Sequence, residues 1–264
     1  MTSFVTSADG TRIGYDSDGS GPTVILVGGA MQFRGFDSNT VSMAKLLAAR
    51  GFTVINFDRR GRGASAEAGS CTLADNLADL SALIEAAGAP AALFGNSSGG
   101  AISLAAAAAG LPISALVVFE VPLGSESGTD GAENLAGLQE KIAAGSPDDT
   151  IAYFMKDMPA EWLDGARNSP GWPVITAMGP SLEADAESLA WTQSASRAEL
   201  WASVTVPVLA LVGEQTLPIM HPAADSITAA IPSATKETIA AANHGWEPEA
   251  MATRIARFLS NPQG

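Results

Sequence analysis

Short runs of consecutive apolar residues recur along this chain, separated by amphipathic or Ala-rich stretches. Thr23-Val-Ile-Leu-Val27, Thr53-Val-Ile-Asn-Phe57, Ala91-Ala-Leu-Phe94, Ala115-Leu-Val-Val-Phe119 and Val208-Leu-Ala-Leu-Val212 lack the alternation of a half-exposed strand. Each reads as a strand covered on both faces. Helical segments are predicted between them over residues 38–50, 72–87 and 98–109. Residues 11–16 alternate and lead into a turn cluster, Ser17-Asp-Gly-Ser-Gly-Pro22, which predicts a hairpin feeding the strand at 23–27. After Val212 the pattern predicts a helix over 220–230, a strand over 234–239 and a last helix over 248–259. Strands alternating with helices imply an α/β class: a mostly parallel central sheet flanked by helices on both faces.

The alternation stops after Phe119. Roughly 85 residues separate it from the next strong strand at Val208, far more than a crossover needs. This stretch holds helix-like segments at 131–144 and 148–157, punctuated by Pro147, Pro159, Pro170, Pro173 and Pro180. It reads as an inserted helical cap over 123–201, with 1–122 and 202–264 forming the core.

Composition narrows the chemistry. The 264 residues are 47% hydrophobic and carry 28 Asp and Glu against 14 Lys and Arg, a formal charge of -14. No broad basic surface is available to neutralise phosphates, so no nucleic-acid partner is expected. One cysteine, Cys71, and two histidines, His221 and His244, preclude a disulfide framework within the chain and a Cys/His zinc cluster; no metal is expected. Residues 1–10 lack the basic start and apolar run of a secretory signal, and no apolar stretch reaches the roughly 18 to 20 residues of a membrane span. The expectation is a soluble cytoplasmic protein, monomer or homodimer, with no membrane partner.

Gly95-Asn96-Ser97-Ser98-Gly99 matches G-x-S-x-G. Alone the match is weak, but an apolar strand runs straight into it and an apolar helix leaves it, the setting of a nucleophile elbow. Small flanks let strand and helix approach each other, and the serine at the apex takes a strained conformation. The blander reading is an ordinary Gly/Ser turn. With Asp58-Arg-Arg-Gly-Arg-Gly-Ala-Ser65, which resembles a D-x-R-G-x-G-x-S loop after the second strand, the chain resembles the α/β-hydrolase family over essentially its whole length. A phosphate loop is the competing reading of 58–65, but the G-K-[ST] ending is missing.

The resemblance implies roles. Gly28-Gly-Ala-Met-Gln-Phe-Arg34 stands where the family has His-Gly and an oxyanion-hole amide, with glycine replacing the histidine. By position the backbone N–H groups of Ala30 and Ser98 form the hole, Met31 being the alternative to Ala30. His244, in Asn-His-Gly after the last strand, takes the place of the catalytic base, and His221 that of a bystander or pocket-edge residue. The usual acid is absent: after the strand at 208–212 the sequence reads Gly213-Glu-Gln-Thr216, with threonine where an aspartate is expected. Glu120, directly after Phe119, is the substitute, since neighbouring parallel strands share one carboxyl rim and the order Ser97, Glu120, His244 suits the fold. Glu214 is the alternative, and Asp225 lies too deep in a helix.

The implied chemistry is cleavage of a hydrophobic or aromatic carboxylic ester or lactone through an acyl-enzyme, without cofactor. Gly29, Met31, Phe33, Phe154, Met158, Trp162, Trp172, Trp191 and Trp246 are the expected substrate-pocket residues. Carbon–carbon bond hydrolysis, perhydrolysis and non-catalytic ligand binding remain alternatives on the same fold. A Cys71 nucleophile is disfavoured because it precedes a helix away from the elbow.

Overall fold

In the computed structural model, which describes residues 2–261 apart from 89 and 127, the apolar runs assemble into one eight-stranded sheet. In chain order the elements up to the insertion are β1 (Ser3–Thr6), β2 (Arg12–Gly19), β3 (Thr23–Val27), α1 (Ser38–Ala48), β4 (Thr53–Phe57), α2 (Leu73–Ala87), β5 (Ala91–Asn96), α3 (Ser98–Ala108) and β6 (Ile113–Phe119). The inserted helices are α4 (Asp130–Ala144), α5 (Pro147–Phe154), α6 (Ala160–Arg167), α7 (Trp172–Ala177), α8 (Glu183–Trp191) and α9 (Arg197–Leu200). The chain closes with β7 (Val208–Gln215), α10 (Met220–Ala230), β8 (Ala234–Ala242) and α11 (Pro248–Ser260).

The strand order is β1-β2-β4-β3-β5-β6-β7-β8, parallel from β4 through β8. Because the central strands are apolar on both sides, both faces must be covered. Helices α2, α3 and α10 supply Leu80, Leu83, Ile102, Leu104 and Ile227 to one core. Helices α1 and α11 supply Met43, Leu47, Met251, Ile255 and Phe258 to the other. Local signals agree with these ends: Thr72 and Asp75 form a capping box on α2, and Gly88 closes that helix at φ 76°.

The N-terminal hairpin differs from the sequence expectation. The turn cluster at 17–22 does not join two paired strands; Ser17, Asp18 and Gly19 belong to β2, whose hairpin partner is β1, with Ser3 opposite Tyr15. On its other side β2 pairs antiparallel with β4, Tyr15 opposite Phe57 and Gly19 opposite Thr53. Beyond the end of β1 the β2 side chains are exposed, so polar residues there resemble a turn while their backbone completes a ladder.

Helices α4 to α9 lie between β6 and β7 with their own apolar cluster, including Leu138, Ile151, Met155, Ile175 and Leu182. Prolines occupy positions that cost no helical bond: Pro147 in the first turn of α5 and Pro173 in that of α7. Helix α8 packs on α3 and α2, the helices of one sheet face. Among the described residues no helix is long and apolar enough to cross a membrane.

Candidate active site

Strand β5 ends at Asn96, and the chain reverses at Ser97, whose φ of 55° and ψ of -129° lie outside ordinary L-residue space. Such a conformation costs about 1–3 kcal/mol and persists only where its surroundings impose it. The Ser97 N–H donates to the Phe119 carbonyl at 2.9 Å, pinning the turn to the neighbouring strand. The flanking glycines are required by close approach: a Cβ at Gly95 would lie 2.6 Å from Gly100 Cα and from the Gly99 carbonyl oxygen. Ser98 then opens α3, so the free N–H groups of that helix start face the rim.

Glu120 follows Phe119 directly at the end of β6, and in register Asn96 sits opposite Phe119 and Phe119 opposite Leu211. Its side chain is 1% exposed, and its Oε2 lies 2.6 Å from His244 Nδ1. Oε1 accepts the Gly213 N–H at 2.9 Å. A carboxylate can only accept here, so Nδ1 carries the proton and Nε2 is the free basic nitrogen. Burial pushes the Glu120 pKa up. The bond from His244, the nearby Thr216 hydroxyl, the Gly213 N–H and the His244 charge outweigh it, holding the acid below its ordinary 4.5. The Thr216 hydroxyl has no well-aligned partner of its own and leans on this carboxylate only loosely.

Two rings stack near the imidazole. Phe119 stacks on it at 6.2 Å and Trp162 of α6 at 6.3 Å, both within 24° of coplanar. Phe119-Glu120 thus holds Ser97 by a carbonyl and His244 by a ring and a carboxylate.

Backbone strain marks the same rim. Among the described residues the non-glycine positions with positive φ are Met31, Ser97, Glu120, Asn243 and His244. All follow the carboxyl ends of β3, β5, β6 or β8. In the loop after β3, the Gly29 N–H donates to Gln32 Oε1 at 2.6 Å, and Asn96 Nδ2 donates to the same oxygen at 3.0 Å. A Cβ at Gly29 would stand 2.9 Å from Ser97 Cβ, so this loop runs directly against the serine. Neither the Ala30 nor the Ser98 amide has a hydrogen-bond partner among the described residues.

Residues 24–258 match the alpha/beta hydrolase family. The chain belongs to that family. An alpha/beta hydrolase from Sphaerobacter thermophilus is 34% identical, the match covering 97% of this chain and 100% of that one, with a TM-score of 0.83. A thermophilic esterase from Thermogutta terrifontis is 20% identical over 98% of this chain and 97% of its own, with a TM-score of 0.71. An enol-lactonase from Burkholderia xenovorans is also 20% identical, over 98% and 100%, with a TM-score of 0.66. These last two share the fold. No curated protein sequence matches the chain.

Some expected pocket residues of this alpha/beta hydrolase lie elsewhere. Trp246 is 7% exposed and packs edge-on against Phe94 and Phe119 in the core that α1 and α11 cover, where a large apolar ring is buried more favourably than at a solvent-facing wall. It is a core residue, which corrects its assignment to the pocket. Trp191 likewise packs on the α2–α3–α10 core through the last turn of α8. Ala30, Met31, Phe33, Phe154, Met158, Trp162 and Trp172 do come together, around the apolar cluster of the insertion. Glu214 is exposed on β7, and Asp225 pairs with Lys236, so neither touches His244. His221 begins α10. Cys71 is buried, which pushes its thiol pKa up and keeps it neutral.

One part of the site is not announced by any sequence motif. Asp185 of α8 is fully buried and bonds Arg59 at 2.7 Å, Arg62 at 2.5 Å and the Ser98 hydroxyl at 2.6 Å. The motif at 58–65 shows only that arginines await carboxylates. A polar residue flanked by alanines, in Glu-Ala-Asp185-Ala, was the available signal on the other side.

Proposed function

We propose that this hydrolase cleaves a hydrophobic or aromatic carboxylic ester or lactone through an acyl-enzyme on Ser97, with His244 as base, Glu120 as its acid partner and the Ala30 and Ser98 amides as the oxyanion hole. The observation that carries the reading is the Glu120–His244 bond, formed one strand away from a serine held in a strained elbow. Ser97 Oγ attacks the substrate carbonyl carbon while its proton passes to His244 Nε2. The Glu120 carboxylate fixes the ring and stabilises the imidazolium that forms. The carbonyl oxygen, now negative, meets the two amides, a contribution of about 3–4 kcal/mol for a well-placed donor. Collapse expels the alcohol, or opens the lactone, with the Nε2 proton delivered to the leaving oxygen. Water then repeats the sequence on the acyl group and frees Ser97.

The substrate class rests on the insertion, read as a cap over 123–201. Its Phe154, Met158, Trp162 and Trp172 meet Met31 and Phe33 around one apolar cluster, a wall suited to apolar acyl or alkoxy groups. Esterase and enol-lactonase activities occur on neighbours of the same fold. The test is a panel of 4-nitrophenyl esters, from acetate to octanoate and phenylacetate, with aliphatic and aryl lactones. The reading expects kcat/KM to rise with apolar acyl size and to vanish in Ser97→Ala. A preference for acetate or for charged acyl groups would overturn the substrate class.

A further inference from the structure

Behind the proposed oxyanion hole lies a buried ionic cluster to which the reaction scheme assigns no part. Arg59, Arg62 and Asp185 are each 4% exposed or less, and the carboxylate is shared between the two guanidiniums. Burial on this scale is costly for ions and contributes little stability on its own. Its other contacts point to the hole. Arg62 donates to the Gly29 carbonyl at 2.6 Å and through Nε to the Ser181 hydroxyl at 2.8 Å. Arg59 donates to the Gly28 carbonyl at 3.3 Å and to Asn76 Oδ1 at 3.0 Å.

The Gly29 carbonyl belongs to the same planar peptide as the Ala30 N–H, and in a trans peptide the two point opposite ways. A guanidinium that grips the carbonyl therefore sets the direction of the N–H and polarises it. Asp185 does the equivalent on the other side, accepting the Ser98 hydroxyl at 2.6 Å and so fixing the residue whose own amide opens α3. Two cations against one anion leave a positive charge in excess directly behind both amides. Cys71 does not cancel it, because burial keeps that thiol protonated.

We propose that Arg62 and Asp185 are positioning residues of the oxyanion hole: Arg62 aims the Ala30 amide through the Gly29 carbonyl, and Asp185 aims the Ser98 amide through its hydroxyl. Asp185 rides on α8 of the insertion, so the hole is complete only when that helix is seated on α3. The proposal rests on the serine-hydrolase reading and adds a dependence of the transition state on residues that never touch substrate.

The test compares wild type with Arg62→Lys, Arg62→Met and Ser98→Ala, using 4-nitrophenyl butyrate and a matching alkyl trifluoromethyl ketone. That ketone forms a hemiketal on the serine, and its oxyanion occupies the hole. The proposal expects kcat to fall about 10–100-fold in Arg62→Met with KM within twofold, and the ketone inhibition constant to rise by a similar factor. Arg62→Lys, which keeps the charge and one donor, recovers part of both. Ser98→Ala loses only the tether, with an expected fall of about 3–10-fold in kcat and a parallel rise in the inhibition constant. A merely structural cluster would lower the active fraction without weakening the ketone relative to KM. Folded variants whose ketone affinity stays within twofold of wild type overturn the proposal, and if the Arg62 variants do not fold, that result in Ser98→Ala alone overturns it. Unchanged butyrate hydrolysis in Ser97→Ala overturns the underlying reading instead, whatever the Arg62 variants do.

Discussion

Glu120 and His244 meet through a 2.6 Å contact between Oε2 and Nδ1, at residues 124 positions apart that both hold positive φ. The second carboxylate oxygen takes the Gly213 N–H at 2.9 Å, so the acid is held from the strand that carries the usual acid site. Replacing it should separate catalysis from folding. In Glu120→Gln the amide can hold either ring tautomer, and kcat should fall about 10²–10⁴-fold while KM changes little. Glu214→Gln, on an exposed side chain, should stay within twofold of wild type. Full activity in Glu120→Gln would remove it from the triad.

Glu120 also links stability to pH. Its folded pKa lies below the ordinary 4.5, so the unfolded chain binds more protons across that interval. The contribution is fully present above 4.5 and is lost as pH falls through the lowered folded value. The stability gap between wild type and Glu120→Gln should therefore shrink as pH falls below about 4.5, read as urea midpoints. A gap that widens on acidification would contradict the assignment.

Gly213 is the point where β7 passes the acid. A Cβ there would sit 2.8 Å from Glu120 Oε1 and 2.9 Å from the Ala241 carbonyl oxygen. Gly213→Ala should cost about 1–3 kcal/mol in denaturant stability and lower kcat with it, since the carboxylate must shift to make room. Unchanged stability together with unchanged kcat would show that the carboxylate does not need this space.

Two tryptophans near His244 should behave oppositely. Trp246→Ala empties a core site and should cost about 3–5 kcal/mol. Trp162→Ala removes the ring stacked on the imidazole from α6, and should leave thermal stability nearly unchanged while lowering kcat/KM about 2–10-fold. Thermal melts and steady-state kinetics on the same preparations decide both.

What the sequence made legible follows from how locally each feature is encoded. Ser97 and Glu120 each follow an apolar run and His244 follows the last strand, and in a parallel sheet such ends converge on one rim. The substitution of Thr216 for the expected aspartate was itself the pointer to Glu120. The hairpin is not legible because Ser17 to Gly19 have turn-like composition, while their pairing with β4 depends on residues far along the chain. Trp246 is not legible as core because a tryptophan two residues from the histidine proposed as base looks the same in sequence whether it faces substrate or core. The Arg59–Arg62–Asp185 cluster was invisible for the same reason: Asp185 is 123 positions from Arg62, and no local pattern announces which carboxylate a buried arginine will meet.

The most direct measurement is covalent labelling with a fluorophosphonate probe, followed by peptide mapping. The account predicts rapid, stoichiometric phosphonylation of Ser97, absent in Ser97→Ala, much slower in His244→Ala and retained in Cys71→Ala. Labelling that survives in Ser97→Ala, or a folded wild type that takes no label and hydrolyses no ester, would contradict it.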